Sequence, residues 1–423
     1  MSAITPRAAK PMQNPAPAQL APIGHSALSP LRDPLFRSLW IAAVISYTGS
    51  WMQNIATGWL MTSLTTSPMY VALVQVALSL PVFLIALPAG ALADLVDRRK
   101  FLLLTQSSMV AAAGVLGILT ITHLVTPQLL LVFTFLLGVG AVMNDPAWQA
   151  LTPDLVPSAK LPAAVALNSA GFNIARAAGP AIGGLVIATA GSGVTFLLNA
   201  VSFFGVILFL YRWKPSEREM PQVVSTIRGA IRVGLHYARQ DRQIQAVLLR
   251  TLAFSLFASA FWALLPLIAS DFGAAGYGAM LAFFGLGALF GAAILSIMRR
   301  SFSPDTIVVI ATLIFAGALF GLVRTQGLAL SSFYAAAAGM AWISTLATLN
   351  LVAQTSAPQW VRARMISMYV FVLQAGLAVG SAVWGVLATH RGLNFSVTVA
   401  AVALCCGLLV GLWYRLQPEK ILT

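Results

Sequence analysis

Charged, cysteine and histidine side chains are all scarce in this chain. Only 9% of its 423 residues are charged, and it has two cysteines and four histidines. The cysteines, Cys405 and Cys406, are adjacent and cannot form an ordinary structural disulfide; the histidines are scattered, so no zinc, haem or iron–sulfur spacing exists. A glycine-rich phosphate loop ending in Lys-Ser or Lys-Thr is also missing, which argues against ATP hydrolysis. We therefore expect no metal, no cofactor and no enzymatic activity.

Apolar residues, in contrast, make up 59% of the chain. A soluble domain could not keep that much apolar surface away from water, so the composition predicts an integral protein of the lipid bilayer. The formal net charge of +14 would suggest a nucleic-acid partner for a soluble protein. In a membrane protein, lysines and arginines crowding the cytoplasmic loops explain it better, so we expect no nucleic-acid partner.

Twelve apolar stretches are long enough to cross a bilayer, at about 20 residues per crossing. They lie near 38–64, 69–93, 101–122, 128–150, 162–189, 194–212, 246–270, 277–298, 305–323, 329–352, 364–388 and 394–414. An even number of crossings puts both termini on one side. Arg324 and Arg391 fall in loops on the opposite side and Arg176 inside a helix, which leaves 25 − 3 = 22 basic residues on the terminal side. The positive-inside rule then predicts that both termini are cytoplasmic, and we expect the membrane to be the plasma membrane.

The chain divides into five predicted regions. Residues 1–35 hold seven prolines and little apolar periodicity, which predicts a disordered cytoplasmic tail and not a signal peptide. Two six-helix bundles are predicted at 36–212 and 246–416, with a short second cytoplasmic tail at 417–423. In the loop 213–245 between them, Ile227, Ile231 and Leu235 repeat at helical spacing among arginines. This pattern favours a basic amphipathic helix on the inner membrane surface over a regulatory ligand site.

The two bundles repeat one plan at a shift of 339 − 138 = 201 positions. The matched pairs are Gly138 with Gly339, Pro157 with Pro358, Gly179 with Gly380, and Gly184 with Gly385. In membrane proteins, paired halves with a site between them are typical of transporters.

A loop motif after the second predicted helix carries a family resemblance. The run Gly90-Ala-Leu-Ala-Asp94-Leu-Val-Asp97-Arg98-Arg99-Lys100 resembles the signature of the major facilitator superfamily, with Leu95 for the usual arginine and Asp97 for the usual glycine. The run Pro146-Ala-Trp-Gln149-Ala-Leu-Thr-Pro153-Asp154-Leu-Val-Pro157, with Leu167-Asn168-Ser169, is similar to its enterobactin-exporter-like branch. The resemblance covers about residues 32–415. It implies an all-α membrane protein with twelve transmembrane helices in two pseudo-symmetric six-helix halves.

The resemblance implies a gate made of Gly90, Asp94, Asp97, Arg98 and Arg99. A carboxylate at position 94 would accept hydrogen bonds from the start of the eleventh predicted helix, where the helix dipole favours negative charge, and Arg98 would bridge to it. Such contacts would hold the cytoplasmic ends of the two halves together in one conformation. The alternative is that the basic cluster only keeps the loop inside.

The fifth predicted helix resembles the helix that carries a glycine–proline signature in exporters of the superfamily. The residues concerned are Gly179, Pro180, Gly183 and Gly184, and the copy is partial because Ala175 replaces one expected glycine. Small residues let helices approach closely and proline bends them, so this helix is predicted to seal the bundle. Ordinary glycine packing is the alternative.

Ionisable groups within membrane helices are costly and are candidates for function. Asp145 is predicted about 8 Å from the inner end of the fourth helix and Arg176 about 20 Å into the fifth, from the rise per residue. Asp145 is the candidate proton carrier, and Arg176 lies near the predicted midplane. Satisfaction of both side chains by backbone carbonyls or amides is an equally open structural alternative.

A central cavity is predicted from polar and aromatic residues at mid-helix depth. The candidates are Trp51, Gln53, Asn54, Asn173, Arg176, Trp262, Trp342 and Thr345. The tryptophans could equally be packing residues, whereas the buried amides need partners. Without a carboxylate at mid-depth in the first helix or the second half, an arginine favours neutral or anionic cargo, such as siderophore-like molecules or acidic metabolites.

The sequence therefore predicts a monomeric secondary transporter that exports a small molecule by alternating access, with proton coupling implied by the resemblance. An importer or a lysolipid flippase remains open as an alternative. A membrane receptor or scaffold without transport activity is the alternative from another class.

Overall fold

The computed structural model describes residues 28–95, 97–213 and 237–416, and within these ranges the chain is helical with no strand. Its main helices are α1 (Pro34–Leu64), α2 (Pro68–Leu95), α3 (Arg98–Ile121), α4 (Pro127–Leu155), α5 (Leu161–Arg212), α6 (Arg242–Ile268), α7 (Gly273–Ser301), α8 (Pro304–Leu322), α9 (Leu328–Ser356), α10 (Gln359–Arg391) and α11 (Leu393–Gly407). A last turn, α12 (Val410–Trp413), follows.

Ten helices of the described part are long and apolar enough to cross a membrane. One of them covers two predicted spans, because α5 runs for 52 residues and leaves helical geometry only at Gly191, where φ is 84°. Glycine tolerates that conformation, since a side chain there would be strained. The 31-residue α1 is long enough but is not among the ten, and polar residues such as Gln53 and Asn54 interrupt its apolar sequence.

Local sequence explains where several helices begin. Asp97, Thr126, Asp241 and Ser303 each precede a helix and accept a hydrogen bond from a backbone N–H of its first turn. This capping satisfies N–H groups that have no partner within the helix. The loops between these helices are short, so successive helices run antiparallel.

Two stretches of chain, which we call the N-terminal part (28–213) and the C-terminal part (237–416), pack against each other. Within the first, α1 and α3 lie on α5 and α2 lies on α4; within the second, α7 lies on α9 and α6 on α10. The two parts meet where α2 packs on α10 and α5 packs on α7. Phe83 and Phe371 stack across the first of these seams with ring centroids 4.5 Å apart.

The last residues of the predicted N-terminal tail, 1–35, belong to the helical structure. Residues 28–35 form a 3₁₀ turn and the start of α1, and Lys160 Nζ lies 2.9 Å from Asp33 Oδ2. Residues 1–27 and 417–423 lie outside the described residues, as do Ile227, Ile231 and Leu235 of the predicted amphipathic helix. The helix after that loop begins at Arg242, four residues before the predicted span.

Candidate functional site

A cavity of about 450 Å³ lies between the N-terminal and C-terminal parts. Residues of α1 to α5 line it from one side and residues of α6, α7, α9 and α10 from the other. At the end of the bundle away from residue 34, called here the far end, Gly58 and Tyr277 approach closely. We refer to this space as the central cavity.

The N-terminal wall of the central cavity is polar. Asn199 Nδ2 donates a hydrogen bond to Gln53 Oε1, and Ser202 Oγ donates to the backbone oxygen of Asn199 at 2.7 Å. On α2, Gln75 Nε2 donates to Ser79 Oγ at 3.0 Å. These bonds satisfy side chains that burial would otherwise leave costly. Gln53, predicted to face cargo, therefore has a structural partner on α5.

Other polar side chains of the cavity make no hydrogen bond or ion pair within the described part of the chain, among them Asn54, Asp145, Arg176 and Gln374. Asp145 is exposed to the cavity, and it forms no ion pair with Arg176 among the described residues. A carboxylate and a guanidinium are thus both presented to one space, at a depth where unpaired charge is costly. Such groups can bind a charged or polar molecule that enters.

The C-terminal wall is aromatic. Trp262 and Trp342 contact edge to face, with ring centroids 5.6 Å apart, and Phe284 lies 4.9 Å from Trp262 by the same measure. Trp262 Nε1 is buried and donates no hydrogen bond to any described residue. An indole N–H usually finds an acceptor when buried. This wall therefore offers flat apolar surface to the cavity, while the indole N–H of Trp262 lies buried behind it.

The structure brings most of the predicted cavity residues together. Those that line the central cavity are Trp51, Gln53, Asn54, Arg176, Trp262 and Trp342, and the predicted proton carrier Asp145 lines it as well. Asn173 and Thr345 were predicted to line it too, but they do not. Asn173 Nδ2 donates to the backbone oxygen of Ser169 one turn earlier on its own helix, and Thr345 is fully buried in packing.

The glycine–proline residues lie where α5 contacts other helices. A Cβ on Gly179 would come 2.6 Å from Trp51 Cβ, and one on Gly183 would come 2.9 Å from Met52 Cα, so both glycines pack on α1. Gly184 faces α7 instead, and its Cβ would lie 2.8 Å from Gly278 Cα. Pro180 lines the cavity. Because such distances leave no room for a side chain, these positions permit the observed helix approach.

The predicted gate residues make contacts inside the N-terminal part. Asp97 caps α3 by accepting from Lys100 N at 3.0 Å, and Arg98 Nη1 lies 3.7 Å from Asp154 Oδ2. Arg99 donates to the backbone oxygens of Leu210 and Tyr211 at the end of α5. Cations favour a helix C-terminus, so Arg99 stabilises the α3–α5 contact.

Gly90 and Asp94 lie in the last turns of α2, and the side chain of Asp94 falls outside the described residues. The contacts predicted for Asp94, with the start of the eleventh predicted helix and with Arg98, therefore stay predictions.

Several residues that line the cavity or are buried with a charge were not predicted from the sequence. Gln75, Asn199, Tyr277 and Gln374 line the central cavity, although a lone amide or tyrosine in an apolar helix gives no signal of the face it occupies. Arg250, grouped with the terminal-side basic residues, lies within α6, is only 6% exposed and pairs with Asp305. Its position eight residues inside a helix was the available signal.

Known proteins resemble the chain in sequence. The family described as transmembrane secretion effector matches residues 25–422. The enterobactin exporter EntS of Escherichia coli is 26% identical over 92% of this chain and 95% of its own length. The multidrug efflux pump Tap of Mycolicibacterium fortuitum is 25% identical over 86% and 91%. The staphyloferrin A transporter of Staphylococcus aureus is 25% identical over 54% of this chain and 57% of that protein.

Solved structures share the fold. A bacterial homolog of the human lysosomal transporter Spinster, in an inward-facing and unoccupied conformation, aligns over 91% of this chain and 98% of its own with a TM-score of 0.73 and 13% identity. The nucleoside transporter NupG aligns over 90% of this chain and 100% of its own with a TM-score of 0.67 and 12% identity.

The matched family spans nearly the whole chain, and the relatives and structural neighbours are transporters and not enzymes. Its apolar helices make the chain a multi-pass membrane protein. The chain belongs to the transmembrane secretion effector family of the major facilitator superfamily.

Proposed function

We propose that this protein is a secondary active transporter that exports a small molecule from the cytoplasm by alternating access. The observation that carries the proposal is the central cavity, which lies between the two parts of the chain and presents Asp145 and Arg176 without described partners. Groups of this kind mark substrate and ion pathways in membrane proteins.

The proposed topology has twelve spans in two six-helix halves. The ten apolar helices become 10 + 1 + 1 = 12 when α5 is counted as two spans divided at Gly191 and α1 is added. With an even number of spans, and with 25 − 4 = 21 basic residues on the terminal side once Arg250 is counted within α6, both termini lie in the cytoplasm of a plasma-membrane protein. Loop 213–245 and the two tails complete this arrangement, and the protein works as a monomer.

The conformation described here is proposed to be inward-facing. At the far end, Gly184 meets Gly278, and a Cβ on Gly385 would lie 2.5 Å from the Cβ of Ala72. Both contacts join the N-terminal part to the C-terminal part and would have to separate for release to the outside. The named conformation of the Spinster homolog supports the same assignment.

The cargo is proposed to be a neutral or anionic small molecule. Arg176 attracts negative charge by complementarity, and no carboxylate of the described C-terminal part lines the central cavity. Relatives named for enterobactin and staphyloferrin A favour siderophore-like cargo. The multidrug efflux pump Tap is a relative with a wider range of cargo, so other small molecules remain candidates.

Proton coupling is assigned to Asp145, because it is the acidic side chain that lines the central cavity. Gly90 and Asp94 of α2 are kept as the gate at the cytoplasmic end, with Asp97, Arg98 and Arg99 holding that end of the N-terminal half. The α5 residues Gly179, Pro180, Gly183 and Gly184, of which Gly184 lies at the contact with α7, would prevent leak while the halves move.

Inside-out vesicles test the proposal. Energised vesicles containing the protein should take up the cargo that accumulates in cells lacking it, and a protonophore should abolish this uptake. An importer or lysolipid flippase would move its substrate in right-side-out vesicles instead, and a scaffold would move nothing in either. Absence of uptake in inside-out vesicles that contain folded protein contradicts the export proposal.

A further inference from the structure

Gln374 of α10 lies on the C-terminal wall of the central cavity, and the export proposal assigns no task to it. Its side chain is partly buried and makes no hydrogen bond to a described residue. Among the described residues of that wall, the other polar side-chain atoms belong to Tyr277 and to the buried indole of Trp262. An amide at membrane depth is costly unless a partner binds it.

The repeat in the sequence matches Gln374 with Asn173, since 374 − 201 = 173. Asn173 bonds to its own helix and does not line the cavity, whereas Gln374 does line it. The amide of the second half is therefore the one of this pair that can meet a molecule in the cavity.

Gln374 lies at the seam where α2 packs on α10. Phe371, three residues before it, stacks on Phe83 of α2. The two helices run in opposite directions, because Ala72 near the start of α2 meets Gly385 near the end of α10. Gln374 therefore lies about one helical turn from the stacked rings, on the side of the far end.

The α2 side of this seam carries a matching polar pair. Ser79 precedes Phe83 by four residues, so it lies at about the same level as Gln374. Gln75 Nε2 donates to Ser79 Oγ at 3.0 Å, and both residues line the cavity. The carbonyl oxygen of Gln75 accepts no hydrogen bond from a described residue. This flank of the cavity therefore presents one amide from each part of the chain, with both donors and acceptors.

Arg176 lies at the other seam, where α5 packs on α7. Its backbone oxygen would be 3.5 Å from a Cβ on Gly285 of α7, and its side chain lines the cavity. Along the C-terminal wall, α10 packs on α6 and α9 packs on α7. Trp262 of α6 and Trp342 of α9 contact each other, so the aromatic surface lies between the two seams. The guanidinium and the Gln374 amide are thus at opposite flanks of one cavity.

A molecule that matches all three surfaces has a carboxylate, a flat ring and an uncharged group that both donates and accepts hydrogen bonds. The carboxylate suits the planar fork of a guanidinium, and the uncharged group suits an amide. We propose that Gln374 is a specificity-determining residue that binds a carboxamide, and that the cargo is an aromatic acid with a carboxamide at its opposite end. Naming the bound molecule as cargo rests on the proposed function, whereas the binding itself does not.

Four probes test this match. The amido acids 4-carbamoylbenzoate and its longer homologue 3-(4-carbamoylphenyl)propanoate carry the amide, ring and carboxylate in this order. In 4-isopropylbenzoate an apolar group of the same shape replaces the amide, and in terephthalamide a neutral amide replaces the carboxylate. Dissociation constants are measured by isothermal titration calorimetry on the full chain in phosphatidylcholine nanodiscs. An amido acid should bind about fivefold more tightly than 4-isopropylbenzoate, as expected for one hydrogen-bonded group.

Gln374→Leu removes the amide and keeps a side chain of similar size. It should weaken binding of the amido acid and of terephthalamide about fivefold and leave 4-isopropylbenzoate unchanged. Arg176→Ala should instead weaken binding of the acids about tenfold or more and affect terephthalamide least. The matched control is Gln326→Leu, which changes an exposed glutamine that does not line the cavity.

The proposal is overturned if both amido acids fail to bind folded wild-type protein, or if Gln374→Leu weakens their binding no more than Gln326→Leu does. Equal weakening of 4-isopropylbenzoate by Gln374→Leu would also overturn it, because the amide would then not be the group recognised. Unchanged binding of 4-isopropylbenzoate shows that the variant is folded with an intact cavity. No readout requires transport, so probe binding without uptake in inside-out vesicles would reject the export proposal alone.

Discussion

The two walls of the central cavity differ in kind. The N-terminal wall carries both charged side chains and the Gln53–Asn199 hydrogen bond, whereas the C-terminal wall is built on Trp262, Phe284 and Trp342. A paired architecture would be expected to give similar walls, since the sequence repeats one plan at a shift of 201 positions. The shift places Asp145 on Leu346 and Arg176 on Leu377, so the charges have no counterpart in the second half.

This difference suggests a division of labour. In the proposed cycle, charge on one wall would select the sign of the cargo and carry the proton, while rings on the other would bind flat or apolar surface with little directional demand. The seams follow the opposite rule, because both halves contribute small residues to them: Gly184 meets Gly278, and Gly385 meets Ala72. Symmetry is thus kept at the contacts that the proposed cycle would open and lost at the proposed cargo site.

The largest effect is expected from the charge of the N-terminal wall at Asp145. In proteoliposomes, Asp145→Asn should abolish gradient-driven accumulation and leave exchange of cargo across the membrane, because the amide cannot carry a proton through the cycle. The control is Asp271→Asn, which changes an exposed acid outside the cavity. Accumulation at the wild-type level in Asp145→Asn would move the proton site elsewhere or make the protein a uniporter.

The second largest effect concerns Arg176 and the sign of the cargo. Arg176→Ala should weaken binding of an anionic cargo by about ten- to a hundredfold, from the loss of one charge-assisted contact of about 1.5–3 kcal/mol. Arg176→Lys keeps the charge and loses the fork, so it should fall between alanine and wild type.

Binding to the purified protein is compared for an anionic and a neutral cargo, with Arg324→Ala as a control outside the cavity. Equal losses for both cargoes in a stable Arg176→Ala protein would remove the charge argument. Poor folding of that variant would instead indicate a structural arginine.

A smaller, thermodynamic effect is expected at the seam. Gly184→Ala places a Cβ 2.8 Å from both Ala274 O and Gly278 Cα, and overpacking of this kind costs about 1–3 kcal/mol. The melting temperature in detergent should fall by several degrees. Gly114→Ala is the matched control, since no atom would lie within 4 Å of its Cβ. A melting temperature as high for Gly184→Ala as for Gly114→Ala would show that the seam has room.

The smallest effect tests the aromatic wall. Trp262→Phe keeps a ring but removes part of the flat apolar surface that lines the cavity, so binding of a cargo with an apolar or aromatic group should weaken about fivefold, as expected for losing about 1 kcal/mol of contact. Trp413→Phe, at an exposed position, serves as the control. Unchanged binding would make Trp262 a packing residue and confine cargo recognition to the N-terminal wall.

Apolar periodicity and rare charges made much of this structure predictable. Asp145 and Arg176 could be found in the sequence because an ionisable residue inside a long apolar run has few structural uses. The boundary between the fifth and sixth predicted spans fell at the right place, although the chain crosses it in one helix bent at Gly191.

The amide side chains show which feature could not be predicted from the sequence, namely the partner of each side chain. Asn173 and Asn199 are both asparagines within α5, yet one bonds to its own helix and the other to Gln53 on α1. Only the packing of α5 against α1 decides which of them faces the interior. The burial of Arg250 was not predicted for a related reason. An arginine near the end of a helix looks in the sequence like a loop residue, and only the structure shows its partner Asp305 on α8.

The central claim is that the far-end seams must separate while cargo crosses between the two walls. Ala72→Cys with Gly385→Cys, in the Cys405→Ser and Cys406→Ser background, joins α2 to α10 at positions whose Cβ atoms are near enough for a disulfide after small adjustment. Transport in inside-out vesicles is measured before oxidation, after oxidation and after reduction. Our account predicts that the disulfide stops transport and that reduction of the disulfide restores it. Fully cross-linked protein that transports as fast as the protein with free thiols would contradict the account.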